Sequence, residues 1–301
     1  MPPSYLNLSK KELNQRIEKL FKNLKNCEIC PKKCHRDRLA GERGFCQLGS
    51  EPVISAYHPH FGEERVLVGN HGSGTIFFTS CNLSCVFCQN YEISQLRIGE
   101  EVSYERLAQM MIELQNLGCH NINLVTPTSH VPAIVKSLSI AREQGLKLPL
   151  VYNTNTYDSI EVLKLLNGIV DIYMPDAKYS SDVNALKYSS APNYFGIMKK
   201  AIKEMHHQVG DLVISKEGIA VKGLLVRHLV LPNNLAGTKE IVEFLAKEIS
   251  KNTFLNIMEQ YYPYAKASQY PELSRRISQK EFKEAIELAK NAGLKRLYSE
   301  Q

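Results

Sequence analysis

The chain has 301 residues, and 44% of them are apolar, which provides for one large α/β domain with a small appendage and argues against wholesale disorder. Its formal charge of +6 sits wholly in residues 1–50, which carry eleven basic and five acidic side chains; an excess this small reads as a solvated helix face before it reads as a dock for nucleic acid or an acidic protein. No apolar run approaches the roughly 18 residues of a membrane helix, and the start Met1-Pro2-Pro3-Ser4-Tyr5 has no basic-then-apolar leader, so a cytoplasmic location without a membrane partner is expected.

Ser9-Lys10-Lys11-Glu12 has the pattern of a capping box, and Leu13, Ile17, Leu20 and Leu24 recur at helical spacing, which predicts a helix over 10–26. Residues 27–72 are rich in Gly, Pro and charge and predict loops around a metal site, with a short strand at Val53–Tyr57. From residue 73 the rhythm changes. Predicted strands are Gly74–Thr79, Asn121–Thr126, Leu148–Tyr152, Ile169–Met174, Leu224–Leu231 and Thr253–Met258. Helical patterns follow them near 103–117, 131–144, 158–166, 193–208, 238–250 and 279–292. The strands are nearly continuous apolar runs, as in a sheet covered by helices. Six such units predict an α/β fold, a partial (β/α)6 TIM-like barrel over 73–301, behind an N-terminal helix and cysteine module over 1–72. In such barrels chemistry sits at the C-terminal ends of the strands.

Eight cysteines fall as 27/30/34/46, 81/85/88 and a lone 119. Gaps this short in a chain without a leader point to metal ligation and not to disulfides. Cys27, Cys30, Cys34 and Cys46 form C-x2-C-x3-C-x11-C. Four thiolates close a structural zinc site or saturate an auxiliary iron–sulfur cluster, and short knuckles of this kind commonly hold zinc. Lys32, Lys33, Arg36 and Arg38 around them are expected to lower the thiol pKa values. His58-Pro59-His60 with Glu63 and Glu64 offers a weaker candidate for a metal or substrate site; Cys119 reads as a small buried hydrophobe, and Tyr261-Tyr262-Pro263-Tyr264 as packing or a cavity floor.

Cys81, Cys85 and Cys88 form C-x3-C-x2-C directly after the first barrel strand, with Phe87 before the last cysteine. Three thiolates on one loop can bind three irons of a cubane and leave the fourth open. An open iron can chelate the amino and carboxylate groups of S-adenosylmethionine (SAM), and an electron from the cluster can then break its S–C5′ bond to give a 5′-deoxyadenosyl radical. Further candidates stand at predicted strand ends. Asp176 and Lys178, two apart, share one face, and Arg227 inside an apolar strand needs the barrel mouth or a partner carboxylate.

These motifs resemble radical SAM proteins of the PflX type, which are named by analogy with pyruvate formate-lyase activating enzymes. The resemblance rests on His60-Phe61-Gly62-Glu63-Glu64, on Gly72-Ser73-Gly74-Thr75-Ile76-Phe77-Phe78 leading into the cysteines, and on Asn121-Ile122-Asn123-Leu124-Val125-Thr126-Pro127-Thr128. It continues through Val151-Tyr152-Asn153-Thr154, Asp171-Ile172-Tyr173-Met174-Pro175-Asp176-Ala177-Lys178 and Val226-Arg227-His228-Leu229. It implies a [4Fe-4S] cluster on Cys81, Cys85 and Cys88, Phe87 against the adenine, and SAM contacts from Asn153, Thr154, Asp176, Lys178 and Arg227. The Gly-Gly-Glu that usually follows the second strand is replaced here by Thr126-Pro127-Thr128, and the extra cysteines precede the cluster loop instead of following it.

The expectation is therefore a radical SAM enzyme, an oxidoreductase or lyase acting on a protein or peptide as glycyl-radical activases do. Modification of RNA or of a small molecule is the alternative, and a non-catalytic electron-transfer protein a weaker one. A low-potential donor of the flavodoxin or ferredoxin type is the implied partner.

Overall fold

A computed structural model describes residues 2–298. The first long helix, α1 (Lys10–Leu24), begins at the expected capping box: Glu12 N donates to Ser9 Oγ at 3.2 Å, and Ser9 N donates to Glu12 Oε2 at 2.8 Å. Its buried face, Leu13, Leu20 and Leu24, lies against the barrel. Residues 25–52 contain no helix or strand, as expected of loops around a metal site.

In chain order the strands are β1 (Val53–His60), β2 (Ser73–Phe78), β3 (Glu100–Glu101), β4 (Ile122–Val125), β5 (Leu150–Thr154), β6 (Ile172–Pro175), β7 (Val213–Ile214), β8 (Ala220–Leu229), β9 (Phe254–Met258) and β10 (Arg296–Tyr298). The helices after α1 are α2 (Arg65–Val68), α3 (Tyr91–Ser94), α4 (Tyr104–Asn116), α5 (Val131–Glu143), α6 (Ile160–Leu165), α7 (Asp182–Ser189), α8 (Tyr194–Val209), α9 (Thr238–Phe244) and α10 (Gln279–Ala292). All six predicted barrel strands are present. Strands β2, β4, β5, β6, β8, β9 and β10 pair side by side in that order, each pair parallel. The sheet is an open, partial α/β barrel. Its seventh parallel strand, β10, was not expected from the sequence: three residues are too few to show a period.

Beyond β2 the sheet is extended by β1, which runs antiparallel to it, and then by β3. The segment after β1 turns inward. Helix α2 plugs the bottom of the barrel, where Leu67 is fully buried against Val151, Ile172, Leu225 and Phe254, inner-face residues of four strands. Gly69 ends this plug with φ +43, and a Cβ there would lie 2.4 Å from Ile219 Cδ1 and 2.6 Å from His120 Nε2, so a larger residue would be strained and would have to displace both side chains. Residues 2–72 thus lie against the barrel and inside it. Ser4 N donates to Asp171 Oδ1 at 2.7 Å, and Tyr5 OH to the Leu148 carbonyl at 2.9 Å.

Candidate active site

The chain leaves β2 at Phe78 and forms the 81–88 loop at the C-terminal edge of the sheet. Ser80, with φ +63, makes the sharp exit. Neighbouring elements pin the loop along its length. Ser84 N and Val86 N donate to the carbonyls of Ser189 and Tyr188 at the end of α7, at 3.1 and 2.8 Å. Lys266 N donates to the Val86 carbonyl at 2.8 Å, and Gln95 Nε2 to the Cys85 carbonyl at 2.8 Å.

Each thiol also has a polar neighbour. Asn155 Nδ2 donates to Cys81 Sγ at 3.2 Å, Ser189 Oγ stands 3.0 Å from Cys85 Sγ, and Ser94 Oγ 3.2 Å from Cys88 Sγ. Burial pushes the Cys81 thiol up to about 12 and the Cys85 thiol to about 11. Thiols this weakly acidic become thiolates when a metal replaces their protons. Three sulfurs on one pinned loop, with hydrogen-bond donors beside them, match the donor set of a site-differentiated [4Fe-4S] cluster.

Cys85, Phe87 and Cys88 face a cleft of about 420 Å³ at the barrel mouth. Asn153, Asp176, Lys178 and Arg227 line the same cleft, from the ends of β5, β6 and β8, so seven strand-end or loop expectations from the sequence meet there. Asp176 accepts from Lys178 Nζ at 2.7 Å and from Arg227 Nε at 2.8 Å. Arg227 Nη2 donates to Asn153 Oδ1 at 2.6 Å and Nη1 to Glu63 Oε2 at 3.1 Å. Arg227 thus has both surroundings the sequence offered it, the mouth and a carboxylate.

Glu63 comes from the inward-turning segment after β1 and was not expected in this network. Its signal was the stranded charge of Arg227, which demanded an acid from somewhere. Asn123 Nδ2 also donates to Glu63, at 3.1 Å, and Asn256 Nδ2 to the neighbouring Glu64, at 2.8 Å. Glu63 and Glu64 are therefore committed to the barrel interior by these bonds, and His60 lines the same cleft as Glu63. Among the described residues, no three Cys, His, Asp or Glu side chains stand ready around a single ion.

The two acids titrate in opposite directions. Burial raises both, but at Asp176 the nearby Arg227 and Lys178 outweigh it and hold the carboxyl below its ordinary value. Glu63 has only Arg227 as a compensating cation, with Glu64 close by, and stays raised. Burial would lower Lys178, yet Asp176 and the Cys85 thiol more than offset it. Lys178 has one carboxylate partner for three donors, which leaves N–H groups for a ligand in the cleft.

Thr154 does not face the cleft. Strand alternation turns it away from Asn153, and its hydroxyl donates to Asp158 Oδ2 at 2.6 Å in a buried cluster with Thr128 and Tyr152. Phe87 lines the cleft, with its ring centroid 5.6 Å from that of Tyr261 at 70°. The N-terminal cysteines also meet: Cys27, Cys30, Cys34 and Cys46 line one cavity. The expectation that basic neighbours lower the thiols there fails at Cys30, which burial pushes up to about 12. Desolvation of the thiolate is the largest effect there, and the neighbouring Cys46 and Cys27 add to it.

The profile of the radical SAM superfamily matches residues 75–215, from β2 to just past β7. An uncharacterized protein of Methanocaldococcus jannaschii, MJ0674, is 36% identical over 95% of this chain and 80% of its own length. A second from that organism, MJ0808, is 26% identical over 93% and 82%. Among solved structures, HydG, a maturase of the [FeFe]-hydrogenase, superposes with a TM-score of 0.50 at 13% identity over 98% of this chain and 64% of that one, a likeness of fold alone.

Proposed function

Because this chain belongs to the radical SAM superfamily, we propose that Cys81, Cys85 and Cys88 hold a [4Fe-4S] cluster with one open iron, and that the cleft beside them binds SAM. The cluster, when bound and reduced, supplies the electron that cleaves SAM to a 5′-deoxyadenosyl radical. The observation that carries this reading is the shared cleft, in which two of the three thiols stand among polar side chains from three successive strand ends.

The residues divide the work. Ser94, Asn155 and Ser189 orient the thiols. Lys178, with N–H groups to spare, holds the methionyl carboxylate; Asp176 and Arg227 fix Lys178 and Asn153 in place. Phe87 offers an apolar wall to the adenine. The proposed substrate is a protein or peptide. Half-exposed Tyr262 and Tyr264, which follow β9 beyond its C-terminal end, give that rim the aromatic character of a polypeptide-binding surface. A ferredoxin- or flavodoxin-class donor in the cytoplasm would supply the electron.

Anaerobic reconstitution with iron and sulfide, then dithionite and SAM, tests the reading. The wild-type chain should release 5′-deoxyadenosine, and the Cys81/Cys85/Cys88→Ala variant none; equal release from both would refute it. Adding candidate glycyl-radical proteins should accelerate release if the substrate class is right.

A further inference from the structure

Lys32 stands between the two cysteine groups. It lies in the turn between Cys30 and Cys34, where Lys33 N donates to the Cys30 carbonyl at 3.1 Å. Its half-buried side chain reaches out of that module. The ammonium lies 4.0 Å from the Phe45 ring centroid and 5.8 Å from that of Tyr157, and it donates to the Ser190 carbonyl. Ser190, with φ +53, caps the C-terminus of α7. The two carbonyls before it, of Tyr188 and Ser189, accept from Val86 N and Ser84 N of the cluster loop, and Ser189 Oγ is 3.0 Å from Cys85 Sγ. A cation suits a helix C-terminus. Here it also ties the N-terminal module to the clamp on Cys85.

A second tie runs to Cys81. Asn82 lines the same cavity as Lys32 and lies beside the Cys30 sulfur. It donates to the Tyr157 carbonyl at 2.7 Å and accepts from Asn155 Nδ2 at 2.7 Å, the amide that also donates to Cys81 Sγ. The turn between Cys30 and Cys34 therefore braces the cluster loop at two points, near Cys81 and near Cys85.

Bracing alone needs no charge, yet the side chain that does it at α7 is a cation. Burial lowers the Lys32 pKa, and the sulfurs of Cys30, Cys34 and Cys81 act against that, so the ammonium is within electrostatic reach of thiols from both groups. Among the described residues Lys32 forms no ion pair with a carboxylate; its partners are a carbonyl and two rings. A cation partly withdrawn from water favours negative charge beside it. Reduction adds one negative charge to an iron–sulfur cluster, and net charge is one of the factors that set its potential.

We infer that Lys32 is a positioning residue for the 81/85/88 cluster: it holds the Ser190 end of α7 and, by its charge, makes the cluster easier to reduce. The inference rests on the reading that Cys81, Cys85 and Cys88 hold a cluster, and does not depend on which metal Cys27, Cys30, Cys34 and Cys46 bind.

Anaerobic redox titrations of the reconstituted full-length protein test it, following the paramagnetic signal that responds to SAM. Lys32→Met and Lys32→Gln should make that cluster roughly tenfold harder to reduce, about 59 mV more negative for one electron. Lys32→Arg, which keeps the charge, should stay close to the wild-type potential. A Lys32→Met potential equal to that of wild type, with only the melting temperature lowered, overturns the inference and leaves the SAM reading standing. A shift in Lys32→Arg as large as that in Lys32→Met overturns it as well. Should Lys32→Met not fold, Lys32→Gln, which keeps a donor for Ser190, gives the same reading. A wild-type chain with no SAM-responsive signal overturns both the inference and the SAM reading.

Discussion

The two cysteine groups differ in number, company and access. The 81–88 loop offers three thiols, two of them facing a cleft of about 420 Å³ lined by charged strand-end residues. The 27–46 segment offers four, around a cavity of about 10 Å³ with basic neighbours. Three thiols beside a roomy polar cleft leave a coordination position and space for what will fill it. Four thiols around a small cavity leave neither. The groups still touch: Asn155 Nδ2 donates both to Cys81 Sγ and, at 2.7 Å, to Asn82 Oδ1, and Asn82 lines the N-terminal cavity.

That contrast can be broken most sharply at the sulfurs. Cys85→Ala or Cys88→Ala should reduce dithionite-driven 5′-deoxyadenosine formation at least a hundredfold. Cys34→Ser should lower the melting temperature but leave cleavage within a few-fold, because dithionite reaches the open site directly. Comparable losses in all three would erase the distinction.

A smaller effect separates two members of the charge network. Asp176→Ala leaves Arg227 and Lys178 without their shared carboxylate and should cost about 3–5 kcal/mol of stability, read in a denaturant titration. Lys178→Ala leaves the Asp176–Arg227 pair intact. It should weaken SAM binding roughly ten- to a hundredfold, the worth of about one charge-assisted hydrogen bond, with a smaller change in melting. Unchanged affinity in Lys178→Ala would make the network purely structural.

The smallest expected effect lies where the groups meet. Asn155→Leu removes the donor to Cys81 Sγ and should shift the cluster potential to more negative values, because hydrogen bonds to ligating sulfur favour the reduced state. An anaerobic redox titration of the 81/85/88 cluster checks it; an unchanged potential would mean that the contact only positions the loop.

The open-site loop was legible in the sequence because ligand spacing is local: C-x3-C-x2-C needs only eight residues and a preceding strand. The six barrel strands were legible as apolar runs, although their ends moved by up to four residues, as with the expected Leu224–Leu231 against the observed Ala220–Leu229. The barrel interior was not legible. Glu63 reaches Arg227 from 164 positions away, through a segment that reads as an ordinary loop until it turns inward. Asn155 was passed over for Thr154 because period-2 alternation breaks down just past a strand end: Thr156 already has φ +66. Helix α7, which clamps the cluster loop, was missed because eight residues give too little periodicity to separate it from a turn.

The central claim is that only the 81/85/88 group has an open iron. Electron paramagnetic resonance of the reduced protein, with and without SAM, tests it most directly. SAM should change the signal of wild-type protein and of a variant lacking Cys27, Cys30, Cys34 and Cys46, and should induce no change in the spectrum of the Cys81/Cys85/Cys88→Ala variant. A SAM-induced change that survives in the latter variant would contradict the account.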